Sequence, residues 1–252
     1  FFGGAAGYLL MMFIIIYGNM VMRSVIEEKT NRIIEIIISS VKPIQLMIGK
    51  ILGTSFAGIT QFAIWIVFGS ILLFVVTGIF GVDISSSTPV PATQLDAGSQ
   101  DEIRKLLTDI VHLPLAKIIG CFLIYFIGGY FLYSSVYAAI GAAVDSETDT
   151  QQFMFPIIIP LMLGIYVGFF SVIDNPHGMV STIFSYIPLT SPVVMLMRIP
   201  FGVAWWEILL SILILVLSIF ALVWIAAKIY RVGILMYGKK PSYKELYRWL
   251  KY

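Results

Sequence analysis

Charge is scarce in this sequence. Of its 252 residues 12% are charged and 59% are hydrophobic, and the mean hydropathy is +0.95. A soluble domain of this size needs more polar surface than that. Cysteine is nearly absent: Cys121 alone excludes an intrachain disulfide and any CxxC metal site. The histidines are His112 and His177 only, and their spacing is not that of a paired-histidine metal motif. A net charge of +2 gives no electrostatic footprint for nucleic acid. The weak apolar–polar alternation of a membrane β-barrel is missing too.

Long apolar runs are what the sequence does have. Residues 1–22, 51–80, 118–144, 153–173 and 208–227 are each uncharged or nearly so, close to or above the roughly 20 residues that cross a bilayer. Backbone groups in hydrocarbon must be satisfied within the segment, so these runs predict transmembrane helices. The first run lacks a basic n-region and a small-residue cleavage site. It is therefore not a signal peptide, and the polypeptide is expected to begin upstream.

Basic residues set the expected orientation. Arg23, Lys29, Arg32, Lys42 and Lys50 lie in segment 23–50, and seven more basic residues lie in the tail 228–252. Both segments are expected in the cytoplasm. Segment 81–115 carries five acids against Arg104 and Lys105 and is expected outside. Residues 175–206 then pose a parity problem. The stretch 175–197 is long enough to span but holds Pro176, Pro188 and Pro192, and a crossing there would expose the basic tail. A re-entrant hairpin of half-helices on the outer side resolves this. Trp205 and Trp206 then mark the outer interface, and Arg198 is expected to reach water or headgroups there.

Two amphipathic helices are predicted outside the spans. Ser99 and Glu102 form a capping box before Ile103, Leu106, Leu107, Ile110 and Val111. Ser242 and Glu245 repeat it before the stripe Tyr243, Leu246, Tyr247 and Leu250, flanked by Lys244, Arg248 and Lys251. That cationic helix either lies on the inner leaflet or packs on its own protein.

Enzymatic motifs are weak. Gly233 to Lys240 imitates a phosphate-binding GxxxxGK[ST] loop, but Lys240 stands where the magnesium-binding hydroxyl belongs. Glu27–Arg32 reads EExxxR, a motif of CAAX-processing intramembrane proteases. That chemistry needs histidines on neighbouring helices, and neither histidine has the FxxxH spacing. The plainer expectation is a Glu28–Arg32 i,i+4 ion pair on a helix leaving the membrane. Gly3/Gly7, Gly49/Gly53 and Gly164/Gly168 are spaced for close helix contact. Pro156 and Pro160 are placed to kink the fourth span. Gln61, Asn19, Ser134 and Ser135 suit interhelical hydrogen bonding better than substrate binding.

The run from Val25 to Gly53, with its EEK, NR, E, SS, P, QL and GK elements, resembles the permeases of ABC-2 type exporters. The similarity is strongest to the branch that includes sodium-extruding permeases. Gln151-Gln152 leading to Pro156, and Tyr186-Ile-Pro-Leu-Thr-Ser-Pro192 running to Met195, Met197 and Arg198, carry it further. The resemblance implies an all-α integral membrane protein of about five transmembrane helices, with a re-entrant hairpin at 175–206 and a cytoplasmic coupling helix within 23–50. It implies a further span and an extracellular domain upstream, a second permease of the same or another kind, and an ABC ATPase subunit that holds ATP and magnesium. No cofactor or catalytic residue is implied on this chain, and the location implied is the bacterial inner membrane. Glu28, Asn31, Arg32, Glu35, Ile36, Ile37 and Ser39 are the expected ATPase contacts; Pro188, Pro192 and Arg198 mark the re-entrant segment. Independently of the resemblance, the isoleucines Ile33, Ile34, Ile36, Ile37 and Ile38 form an apolar patch in a charged loop. Turned inward they are core; turned outward they are a partner site. Asn31 is placed to cap a short helix and Pro43 to open the next. Besides the permease, an intramembrane protease and a non-transporting membrane subunit are the other classes compatible with the sequence. Sodium, a peptide, a lipid and a drug are equally open as cargo.

Overall fold

The computed structural model describes residues 2–38, 40–80, 115–237 and 243–250. They form α1 (Phe2–Thr30), α2 (Ile33–Ile38), α3 (Pro43–Phe80), α4 (Leu115–Ala143), α5 (Gln151–Val167), α6 (Met179–Tyr186), α7 (Ser191–Arg198), α8 (Trp205–Gly233) and α9 (Tyr243–Trp249), with no strand among the described residues. Five helical segments are long and apolar enough to cross a membrane: Gly3–Thr30, Pro43–Leu72, Lys117–Ala143, Thr148–Val172 and Trp205–Gly233. The chain is an all-helical, multi-pass membrane protein. The capping box at Ser99 and Glu102 and the helix after it lie outside the described residues, as does Ser242.

The chain divides into two compact units, residues 1–58 with 118–252, and residues 59–117. In the second, the C-terminal half of α3 presents Phe68, Leu72 and Phe74 as exposed apolar side chains. The first holds the core. Its α1 buries Leu10, Phe13, Ile14, Val21, Met22, Val25 and Ile26, a stripe recurring at three and four residues as one helix face requires.

At the centre of the first unit lies α7, buried from Ser191 to Arg198. Helices in lipid associate by close packing, because hydrocarbon tails compete with any apolar side chain. Glycines supply that closeness here. A Cβ added to Gly3 of α1 would stand 2.6 Å from the Met197 carbonyl oxygen, and one on Gly7 would stand 2.5 Å from Met197 Cγ. Gly129 of α4 meets Pro192, and Gly164 of α5 meets Val193. Gly168, beyond α5, sits against Met197. Two of the three glycine pairs noted in the sequence thus line the seat of α7. Gly49 and Gly53 have nothing within 4 Å.

Pro156 and Pro160 both lie inside α5, where each removes an intrahelical donor. After Val167 the helix widens to a π turn, Gly168–Val172, which lets Gly168 face α7. Such single-turn widenings within helices accompany functional segments.

Candidate functional site

Two parts of the first unit carry buried charge: the segment around α2, and the broken hairpin that contains α7. The first begins where α1 stops. Asn31 and Arg32 donate backbone N–H groups to the Glu27 and Lys29 carbonyls, and Arg32 takes a left-handed φ of 55°. A left-handed residue after the last turn ends an α-helix and costs a non-glycine side chain energy. Glu35 N–H then bonds to the Arg32 carbonyl, opening α2. Arg32, not Asn31, therefore stands directly before α2, and Asn31 is one position too early to cap it. The chain re-enters at Pro43, in the first helical position, with the Lys42 N–H donating to Gln45 Oε1 at 3.3 Å as in a capping box.

The isoleucines divide. Ile34 is fully buried, whereas Ile36 is 75% exposed and Ile33 is 44% exposed. Ile37 is half-buried and Glu35 is exposed; Ser39 and the Ile38 side chain lie outside the described residues. Val41 and Ile44 are exposed as well. One isoleucine thus anchors α2 while its neighbours turn outward.

Two ammonium groups, Lys29 buried and Lys50 half-buried, fix the frame around this helix. Lys29, 1% exposed, donates to the carbonyls of Ala142 at 2.8 Å and Val144 at 3.2 Å, and pairs with Asp145 at 2.9 Å. It caps the C-terminal end of α4, where the helix dipole and unpaired carbonyls favour a cation. Lys50 of α3 pairs with Glu28 at 2.7 Å and donates to the Ser24 hydroxyl at 2.8 Å and carbonyl at 3.1 Å. Lys29 also stands 5.8 Å from the centre of the Tyr237 ring. Partial burial, with Glu35 and Asp145 nearby, raises the Tyr237 phenol above its ordinary value. The expected Glu28–Arg32 pair is corrected by this arrangement. Arg32 has left the helix, so the i,i+4 register no longer exists, and Glu28 reaches Lys50 on the next helix.

In the hairpin, residues 175–197 form two short helices, α6 and α7, rather than one rod. Pro188 lies in the break and Pro192 in the first turn of α7, where a missing donor costs nothing. Breaks free carbonyls, and here side chains answer several of them. Tyr133 donates to Leu189 at 2.5 Å, Ser211 to Ser185 at 2.8 Å, and Thr190 to Phe184 at 2.6 Å. Arg198 does the most. Its guanidinium donates to the Pro176 carbonyl at 2.7 Å, the Ser185 hydroxyl at 2.6 Å, the Thr182 hydroxyl at 3.2 Å and the Glu207 carboxylate at 3.0 Å. It is 1% exposed. The expectation that Arg198 reaches water or headgroups is therefore corrected: Glu207 and three hairpin acceptors satisfy it inside the protein. Trp205 and Trp206 are both exposed on the first turn of α8.

The family described as "ABC-2 family transporter protein" matches residues 1–228. The chain belongs to the ABC-2 family. Among curated proteins, this ABC-2 chain is 29% identical over 240 residues to the uncharacterized protein YhaP of Bacillus subtilis (strain 168), covering 95% of the chain and 52% of that protein. It is 28% identical over 240 residues to the uncharacterized protein MJ1024 of Methanocaldococcus jannaschii, covering 95% of the chain and 51% of that protein. The chain spans about half the length of these relatives. No solved structure shows a significant match.

The other motifs find no matching context in this ABC-2 permease domain. Gly233 ends helix α8 rather than a strand, and a Cβ there would stand 2.9 Å from the Ala142 carbonyl oxygen; residues 238–240 lie outside the described residues. Of the EExxxR residues, Glu28 is engaged by Lys50 and Arg32 is exposed in the turn after α1. His177 is exposed and His112 lies outside the described residues. No three His, Cys, Asp or Glu side chains converge on a metal position among the described residues.

Lys29, Lys50, Asp145 and Glu207 were missed as site residues by sequence reasoning. The signal for Lys29 was present: it follows Val21, Met22, Val25 and Ile26 at the spacing of the buried face of α1. A lysine on such a face must find acceptors. Its partner Asp145 lies 116 positions on, and no local pattern joins them.

Proposed function

We propose that the chain is the membrane-embedded part of a permease subunit in an ATP-driven exporter. It couples ATP hydrolysis on a separate ABC ATPase chain, which holds ATP and magnesium, to efflux across the cell membrane. The complex contains a second permease, identical or related. Residues 23–50 and the tail 228–252 face the cytoplasm, residues 81–115 face outward, and the α6–α7 hairpin enters the outer leaflet and returns.

One observation carries the reading most directly. Helix α2 shows Ile33 and Ile36 outward while both its flanks are tied to spans through Lys29–Asp145 and Lys50–Glu28. A transmission element needs that combination, an apolar grip on the partner and a stiff connection to the helices it must move. Family membership supports the same reading. Glu28 serves by bracing, Ile36 and Ile37 by docking, and the exposed Asn31, Arg32 and Glu35 lie at the rim; Ser39 is a further proposed contact.

The test is coexpression of the full-length protein with the ATPase encoded beside it. The pair is expected to copurify and to hydrolyse ATP with magnesium, whereas the permease alone hydrolyses none. Magnesium-dependent hydrolysis by the permease without its partner contradicts the proposal.

A further inference from the structure

We infer that α9, together with the C-terminal end of α8, forms a binding face for the headgroups of anionic phospholipids. The inference rests on the chain being a multi-pass membrane protein and is independent of the exporter reading.

Anchoring comes first. Trp249 of α9 is 8% exposed and packs against Gly233, where a Cβ would meet its ring at 3.1 Å. The Lys228 ammonium donates to the Leu250 carbonyl at 3.0 Å. The short helix is therefore docked on α8 at both its ring and its last carbonyl. That decides between the two placements open in the sequence for one face of α9, which packs on its own protein.

The opposite face is cationic. Lys244, Tyr247 and Arg248 are exposed, and their spacing of three and four residues puts them side by side. Glu245 and Leu246, half-buried, flank them. On α8, Trp224, Lys228 and Arg231 share one face at the same spacing, with Trp224 62% exposed and Lys228 Nζ 4.4 Å from its ring centre. An exposed tryptophan beneath a lysine at the end of an apolar span marks the bilayer–water boundary. Because Lys228 holds the end of α9, α9 lies at that same depth. Lys228, Arg231, Lys244 and Arg248 are then gathered at headgroup level, where a phosphodiester carries the complementary charge.

The test uses the full-length protein in detergent, titrated with phosphatidylglycerol or phosphatidylcholine and read by native mass spectrometry. Wild type is expected to retain phosphatidylglycerol preferentially. Each basic side chain near an anionic surface contributes about fivefold. The Lys244→Gln/Arg248→Gln pair should therefore reduce the preference by about 5- to 25-fold, and Arg231→Gln by about fivefold. The charge-keeping pair Lys244→Arg/Arg248→Lys should retain it. Equal retention of both lipids by wild type overturns the inference, as does an unchanged preference in the neutral pair. Loss of ATPase copurification in the neutral pair, with lipid preference intact, overturns it too by assigning the face to a protein partner.

Discussion

Lys29, near the end of α1, and Asp145, just beyond α4, meet at 2.9 Å with the lysine almost wholly buried. The same ammonium satisfies the Ala142 and Val144 carbonyls, so one side chain closes a helix end and joins two candidate spans. Removing the lysine leaves two helix-end carbonyls without their donor, at about 1–3 kcal/mol each where they stay buried, and a carboxylate that is 32% exposed without its cation. Lys29→Ala should therefore lower the thermal midpoint of the full-length protein in detergent markedly. The Arg23–Glu147 pair, 58% and 52% exposed, should matter by only about 0–1 kcal/mol. Equal midpoints for Lys29→Ala and Arg23→Ala would remove Lys29 from the structural frame.

Arg198 supplies a second test of buried charge. Lysine at this position keeps the charge but cannot reproduce a planar fork to four acceptors. Arg198→Lys should destabilise, and Arg198→Ala should do so further by leaving the half-buried Glu207 without its cation. In a double-mutant cycle with Glu207→Gln, coupling of about 0.5–3 kcal/mol is expected. Additive effects would show that the two side chains do not depend on each other.

The glycine seat of α7 predicts opposite outcomes for one chemical change. Gly3→Ala places a methyl against a backbone carbonyl, which cannot swing away, and should cost about 1–3 kcal/mol. Gly53→Ala meets nothing within 4 Å and should gain about 0.5–1 kcal/mol from helix propensity. Thermal midpoints of the two variants decide it; loss of stability at Gly53 and none at Gly3 would reverse the assignment.

Orientation is tested by accessibility. Cysteines introduced at Ser86 and Ser242, in a Cys121→Ala background, should react with an impermeant maleimide from opposite faces of sealed vesicles. Labelling of both from one face would overturn the proposed topology.

Much of the fold was legible because membrane helices advertise themselves. Residues 118–144 and 208–227 are apolar over the required length, and α4 and α8 form across them. Pro188 and Pro192 announced a broken segment, and the break lies between α6 and α7. Less legible was whatever depends on distant partners. Arg198 resembles a snorkelling interfacial arginine until Pro176, Thr182, Ser185 and Glu207 are folded around it. The left-handed turn at Arg32 was hidden because nothing local favours that conformation for arginine, and it alone dissolves the expected Glu28–Arg32 pair. The isoleucine patch was ambiguous for a similar reason. Helix α2 has six residues, and its inward side is chosen by the frame it packs on.

In the proposed exporter, the outward isoleucines of α2 transmit force by docking on an ATPase. The decisive measurement is the affinity of purified, full-length Ile36→Asp for its ATPase, beside wild type and Arg32→Ala. Truncating a docking anchor costs over about 2 kcal/mol, roughly 30-fold in affinity, whereas an exposed charge at the rim is worth about 0–1 kcal/mol. Ile36 is 75% exposed, so the variant should keep the wild-type thermal midpoint. Ile36→Asp is expected to be folded and bound at least about 30-fold more weakly, with Arg32→Ala within about fivefold of wild type. An Ile36→Asp protein that binds the ATPase as wild type does contradicts the docking role.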